Sequence, residues 1–264
     1  MAEHDSRQTM SVLVVGGPTV VFDYGGLRFI TDPTFDPPGE QPRGLVKVSG
    51  PAVEADSVAP VDVVLLSHDH HPDNLDAAGR ALLDRAARVL TTGDGAERLH
   101  GGAVGMRPWT THELERPEGA GLTVTAVPAL HGPEGSDPVM GPVIGFVLAA
   151  DDLPSLYVSG DNASTRVVRE IVERLGQIDL AILFAGAASL PQRFDGAPLT
   201  LTSDGAVEAT RILHARAVVP VHFDGWAHFT QGADQLRSAF AAAGLSDALV
   251  LAEPGERVTV PLRA

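Results

Sequence analysis

Cysteine is absent from all 264 residues. Disulfides and thiolate-bound zinc are therefore excluded, and any metal has to be held by His, Asp or Glu. Long apolar runs are also missing: no stretch approaches the roughly 18 consecutive apolar residues that a membrane span needs. The first residues, MAEHDSRQTM, lack a basic start followed by an apolar run, so no secretory signal is expected and a cytoplasmic location is. Positive charge is scarce. Against 34 Asp and Glu there are 19 Lys and Arg, a formal net charge of −15. With no basic stripe to offset that field, nucleic acid is an unfavourable partner, and without a long apolar run no membrane partner is expected. Oligomeric state is not legible.

What is present is a globular chain, 44% hydrophobic, with enough apolar content for a sizeable core. Its length suits a single domain over residues 1–264. Short β-rich runs recur at 12–15, 19–24, 27–30, 61–67, 122–127, 143–148, 155–159, 180–184, 217–221 and 248–251. Tyr24-Gly25-Gly26-Leu27 reads as a hairpin turn between two of them. Helical patterns occupy 75–87, 163–175 with Gly176 as a C-cap, 203–214 with Ser203 as N-cap, and 232–243. Hairpin-joined strands followed by strands alternating with helices predict an α/β (α+β) chain with two mixed sheets and helices outside. The Pro/Gly-rich stretches 32–44 and 131–142 read as long loops, a length that is often functional.

The chemistry concentrates in Ser67-His68-Asp69-His70-His71-Pro72-Asp73-Asn74, which follows the apolar strand VDVVLL. Three histidines in four positions stand out in a chain with 10 in all. Imidazole nitrogen and carboxylate oxygen are standard zinc donors, and a tight loop can close several of them on one ion. Three further candidates share a position: His131, Asp161 and His222 each follow the end of an apolar strand. Strand ends are where layered α/β folds assemble sites, because the sheet holds separate loops at fixed distances. Gly16-Gly17-Pro18-Thr19 lacks the GxGxxG and GK[ST] patterns and reads as a turn. No Gly-x-Ser-x-Gly elbow is present. His4, His100, His112 and His214 read as surface histidines.

Five segments together resemble the metallo-β-lactamase-fold hydrolases, especially the branch related to ascorbate-6-phosphate lactonase. They are Gly16-Gly17…Thr31-Asp32-Pro33, the Ser67–Asp76 histidine segment, Pro128-Ala129-Leu130-His131, Tyr157-Val158-Ser159-Gly160-Asp161 and Val219-Pro220-Val221-His222. The resemblance implies a four-layer αββα sandwich with one or two divalent metal ions along one edge of the sheets. Zn²⁺ is the first expectation, with Mn²⁺ or Fe²⁺ as alternatives. It also implies hydrolysis of a small-molecule ester or lactone, phosphoester or amide. An iron-dependent oxygenase on the same fold, or a non-catalytic metal-binding relative, is the competing reading.

The family segment reads His-x-His-x-Asp-His, and this chain departs from it. It is one residue longer, and Asn74 stands where the last histidine is expected. Counting from the strand makes His68 and His70 the pair. Counting back from Leu75-Asp76 makes His71-Pro72-Asp73-Asn74 the counterpart of His-x-Asp-His, which is the favoured register. The resemblance then implies that His68, His71 (or His70) and His131 hold one ion. Asp73, Asn74 and His222 hold a second, and Asp161 bridges both. Asn74 is a weak neutral donor, so a loosely held second ion or a harder one such as Mn²⁺ is expected. Asp73 is the expected catalytic group, orienting the nucleophile and carrying a proton. Asp32 and Asp69 are candidates to support the ligand loops. Trp226 and His228 are candidates to line the pocket.

Overall fold

The protein was analysed as a computed structural model, which describes residues 9–117 and 119–262; His4 lies outside them. Two β-sheets carry the architecture. One has seven strands in the spatial order Arg257–Pro261, Thr9–Gly16, Thr19–Tyr24, Leu27–Thr31, Val63–Leu65, Arg88–Thr92 and Val104–Met106. The other has six, in the order Ala217–Val221, Leu180–Phe184, Leu153–Val158, Ile144–Ala150, Leu122–Pro128 and Thr111–Leu114. Both are mixed, as expected.

The sheets pack face to face. Phe22, Phe29, Leu65 and Leu90 from the first meet Val124, Phe146, Leu156 and Ile182 from the second in one apolar cluster. The helices Thr165–Leu175, Ser203–Leu213 and Ala233–Ala242 cover the outer face of the six-stranded sheet. Thr165–Leu175 does so through Val167, Val168 and Ile171, spaced to fall on one stripe. Each such side chain contributes about 1.5–3 kcal/mol of burial. On the opposite side the helix Ala77–Leu83 sets Leu82 against Val64, Leu66 and Val89. The layers are therefore α, β, β, α, and among the described residues no helix is long and apolar enough to cross a membrane.

Local chemistry explains most boundaries. Gly25 and Gly26 have φ of +63° and +80°, the left-handed pair that a tight hairpin between twisted strands requires. Tyr24 and Leu27 close it as facing partners. Ser164 caps the helix Thr165–Leu175 by accepting from the Val167 N–H, and Gly176 ends it. Three expectations need correction. The helix Ser203–Leu213 is capped by Thr202, whose hydroxyl accepts from the Gly205 N–H, so Ser203 is already its first turn. Residues 248–251 make only an isolated bridge, Leu249 to Val218, because the short turn Ser246–Ala248 uses up the segment's start. The loop 131–142 contains one helical turn, Asp137–Met140.

Strand direction assembles the site. Leu153–Val158, Leu180–Phe184 and Ala217–Val221 run parallel, and Leu122–Pro128 points the same way two antiparallel steps along. Their C-terminal ends therefore share one edge. Leu27–Thr31 and Val63–Leu65 run parallel in the other sheet. His131, Asp161, His222, Asp32 and the His68 loop all leave from such ends.

Candidate metal centre

Two groups of donors close within this edge. His68, His71, His131 and Asp161 each offer an atom, all within 4.8 Å of one another; Asp73, Asp161 and His222 form a second group on the same criterion. All six residues are buried. Asp161 belongs to both groups, the position the resemblance implied for it. His71 joins the first group and His70 does not: the His70 Nε2–H donates instead to the Met140 carbonyl at 2.6 Å.

The spacings suit a shared cation. His68 Nε2 lies 2.8 Å from His71 Nδ1 and 3.9 Å from Asp161 Oδ2, and His131 Nε2 lies 3.4 Å from the same oxygen. Donors about 2.0–2.1 Å from a tetrahedral ion sit roughly 3.3 Å apart, inside that range. The stronger test is what the donors lack. Asp161 is fully buried, yet neither carboxylate oxygen has a hydrogen-bond partner, and the same is true of both His222 ring nitrogens and both Asn74 amide atoms. His222 Nδ1 approaches Asp161 Oδ1 at 3.1 Å, but off the direction of a ring N–H bond. Buried polar atoms are almost always paired. A carboxylate and imidazoles left open toward one another fit a divalent cation.

Electrostatics agree. Burial pushes the His68 imidazole well below its usual range and His71 down to about 3, so both are neutral donors at physiological pH. His222 behaves oppositely. Burial pulls it down, but Asp161 and Asp73 outweigh that and push it up to about 10. Asp73 and Asp161 are held well below the carboxylate range: burial opposes ionisation, but the charge of His222 together with the hydrogen bond and charge of His228 win at Asp73, and the charges of His222 and His131 win at Asp161.

The supporting contacts fix the loops. Asp32 Oδ1 accepts from the Ser67 N–H at 2.6 Å, one residue before His68. Asp69 faces away from the cluster and accepts from Arg98 Nε at 2.9 Å. Burial raises the Asp69 carboxyl, but Arg98 outweighs it and keeps it ionised. The His131 Nδ1–H donates to the Leu199 carbonyl at 2.8 Å, which fixes the tautomer and leaves Nε2 facing Asp161. Two glycines allow the close approach. A Cβ on Gly186 would meet the His222 carbonyl oxygen at 2.2 Å. A Cβ on Gly160, at φ +56°, would meet Ser67 Cβ at 2.8 Å and the Ile144 carbonyl oxygen at 2.6 Å. His222 itself holds φ at +57°, a strained backbone for a non-glycine residue, pinned by its N–H to the Gly17 carbonyl at 2.7 Å.

A cavity opens over the cluster, lined at its base by His71, Asp73, His131 and His228. The His228 Nε2–H donates to Asp73 Oδ2 at 3.1 Å. Trp226 does not line this cavity. It is buried beneath the arm formed by Gly39–Glu40 and Val46–Lys47, with the Lys47 ammonium 5.6 Å above its ring. Arg43 and Arg193 at the cavity wall carry no sequence motif, and reasoning from the sequence did not single them out.

Similarity to known proteins points the same way. The chain is 28% identical, over 90% of its length and 82% of the relative's, to a UPF0173 metal-dependent hydrolase of Anaeromyxobacter dehalogenans. Its fold matches an isothiocyanate hydrolase from Delia radicum gut bacteria with a TM-score of 0.78, at 20% identity, over 96% of this chain and all of that one. It also matches CmlA, a diiron beta-hydroxylase from Streptomyces venezuelae, with a TM-score of 0.65 at 16% identity, over 97% of this chain and 54% of that one. The family model described as the beta-lactamase superfamily domain matches residues 27–223, which span the histidine loop and every other strand end of the site, and the chain belongs to that family.

Proposed function

We propose that this chain is a metal-dependent hydrolase of small molecules, acting on an ester or lactone before a phosphoester or amide. The observation that carries the reading is Asp161: a fully buried carboxylate, unpaired by any hydrogen bond, at the meeting point of four histidines from three separate strand ends. His68, His71, His131 and Asp161 would hold one ion. Asp73, His222 and Asp161 would hold another, with Asn74 as a weak neutral donor. The metal-dependent hydrolase of Anaeromyxobacter dehalogenans supports the reaction class.

When bound, a divalent ion polarises a carbonyl or phosphoryl oxygen and lowers the pKa of water from about 15.7 towards about 7. The chain supplies the rest. Asp73 is ionised, lies at the cavity base and has one oxygen engaged by His228, so it can accept a hydrogen bond from an attacking water and orient it. His131 keeps a fixed tautomer through Leu199, which holds the donor geometry as substrate enters. Burial keeps His68 and His71 unprotonated and so free to act as donors.

The test is elemental analysis of the purified chain together with ester, lactone and phosphodiester substrates. Zinc or manganese at one to two per chain with turnover of one substrate class is the expected result. Iron with consumption of O₂ would assign the chain to oxygenases instead, and failure to retain any divalent metal after reconstitution would leave a non-catalytic relative.

A further inference from the structure

The cavity over the cluster is small, about 160 Å³, and its upper wall is chemically unlike its base. Leu45, Leu190 and Leu199 make it apolar, and two guanidiniums, Arg43 and Arg193, stand among them. Among the described residues, neither arginine forms an ion pair. Arg193 makes only a long contact with the Met140 sulfur at 3.8 Å. Arg88 and Arg107 likewise form no ion pair among the described residues, but neither lines this cavity. What sets Arg43 and Arg193 apart is that the two guanidiniums, one exposed and one part-buried, line the same small cavity, where a bound anion would meet both.

Both arginines are carried by well-fixed backbone. Arg43 sits in the turn Pro42–Gly44 at the tip of the arm, closed by the Gln41 N–H to the Leu45 carbonyl at 2.8 Å. The arm is held down by Lys47, buried, whose ammonium donates to the Thr34 carbonyl at 3.2 Å and to Asp76 Oδ2 at 3.3 Å. The Ala227 N–H also donates to the Val46 carbonyl at 3.0 Å. Arg193 sits in a loop closed by its own N–H to the Leu190 carbonyl at 2.8 Å and by Ser189 Oγ to the Gly196 carbonyl at 2.9 Å. The Ser189 N–H donates to the His228 carbonyl at 2.9 Å. Arm and loop are thus tied to the same segment, the one that carries His228 onto Asp73.

We infer that Arg43 and Arg193 form an oxyanion clamp at the cavity mouth, and that the substrate is a compact molecule bearing a carboxylate or phosphate on an apolar body. The reacting end of that substrate rests on the hydrolase reading; the clamp does not. A guanidinium presents donors in a fixed fork that matches carboxylate and phosphate oxygens. The leucines take the apolar body between the clamp and the base. Drug-sized ligands occupy pockets of about 300–1,000 Å³, so this cavity admits only a small body. The chain's overall charge of −15 repels anions at long range, so recognition has to be local and weakens as salt rises.

The test is binding of hexanoate, hexyl phosphate and hexanol to the full chain as purified, by isothermal titration. The anions should bind at least about tenfold more tightly than hexanol, the size of effect one charge-assisted contact gives. Arg43→Ala and Arg193→Ala should each weaken anion binding without changing hexanol binding, and Arg→Lys should restore part of it. The double Ala variant should cut the preference by about tenfold or more. Hexanoate against hexyl phosphate tells which oxyanion the clamp takes. Equal binding of hexanol and both anions, or an undiminished preference in the double variant, overturns the clamp. A matched pair of esters, one with a free remote carboxylate and one with it methyl-capped, separates the two readings. Turnover with a lower KM for the free acid, lost in the double variant with kcat kept, supports both. Turnover without that preference rejects the clamp alone. Intact anion binding with no turnover of any ester, lactone or phosphodiester rejects the hydrolase reading alone.

Discussion

A buried carboxylate whose two oxygens find no donor is costly unless a cation stands by it, and in the metal-free chain that cation is the protonated His222 ring. The two states of the site therefore compete: a proton on His222, or a metal ion among its neighbours. His222 is pushed up to about 10, above its ordinary 6.5, so its proton stabilises the metal-free fold fully below pH 6.5 and that stabilisation is lost as pH rises towards 10. Thermal unfolding of chelator-treated protein should show Tm falling across that window, while the metal-loaded protein stays flat. Metal uptake at pH 7.5 should release about one proton per filled second position. Titration calorimetry in buffers of different ionisation enthalpy measures that directly, and a heat independent of buffer would contradict it. The neighbouring histidines separate by the same logic. His71 belongs to the donor group and His70 is spent on the Met140 carbonyl, so His71→Ala should lose more metal by elemental analysis than His70→Ala. Equal retention, or the reverse order, would refute the register that sets His71 in the site.

Segments show what a sequence carries on its surface and what it hides. Strands such as Thr19–Tyr24, Leu180–Phe184 and Ala217–Val221 are runs of β-branched and apolar residues buried along most or all of their length, and they read off directly. Arg88–Thr92 and Arg257–Pro261 did not: each begins with an arginine, and the second buries only Val260, so neither looks like a core strand until it is paired. The residues of the candidate site were legible because each follows an apolar run. Their selection was not. Which of His70 and His71 faces the cluster depends on the backbone path of the loop, and that path is set by Asp32 gripping the Ser67 N–H and Arg98 gripping Asp69 from outside. Gly186 was likewise silent in the sequence, yet a Cβ there would collide with the His222 carbonyl oxygen at 2.2 Å. Because that carbonyl belongs to a residue already held at φ +57°, the strand end has nowhere to retreat. Gly186→Ala should destabilise the chain by about 1–3 kcal/mol, the cost of a forced backbone strain, and lower the metal content with it. Denaturant unfolding with elemental analysis checks both, and a variant as stable and as metal-rich as the parent would show that the two strand ends can part.

At the scale of the whole molecule, the site joins both sheets. His68, His71 and Asp73 hang from the seven-stranded sheet, whereas His131, Asp161 and His222 hang from the six-stranded one. An ion bound by both sets would cross-link the sandwich at one edge, where like-charged carboxylates and desolvated imidazoles otherwise weaken it. Any ligand that binds the folded chain alone stabilises it by mass action, about 2.7 kcal/mol at a hundredfold excess over Kd. For a chain of this size that corresponds to a rise in Tm of roughly 5–10 °C. The rise should require donors from both sides: His71→Ala and His131→Ala should each abolish most of it, although they sit on different sheets. Differential scanning calorimetry with and without added Zn²⁺ or Mn²⁺ reads the effect. If His71→Ala removed the stabilisation while His131→Ala kept it whole, the ion would be held by the histidine loop alone and would not bridge the two sheets.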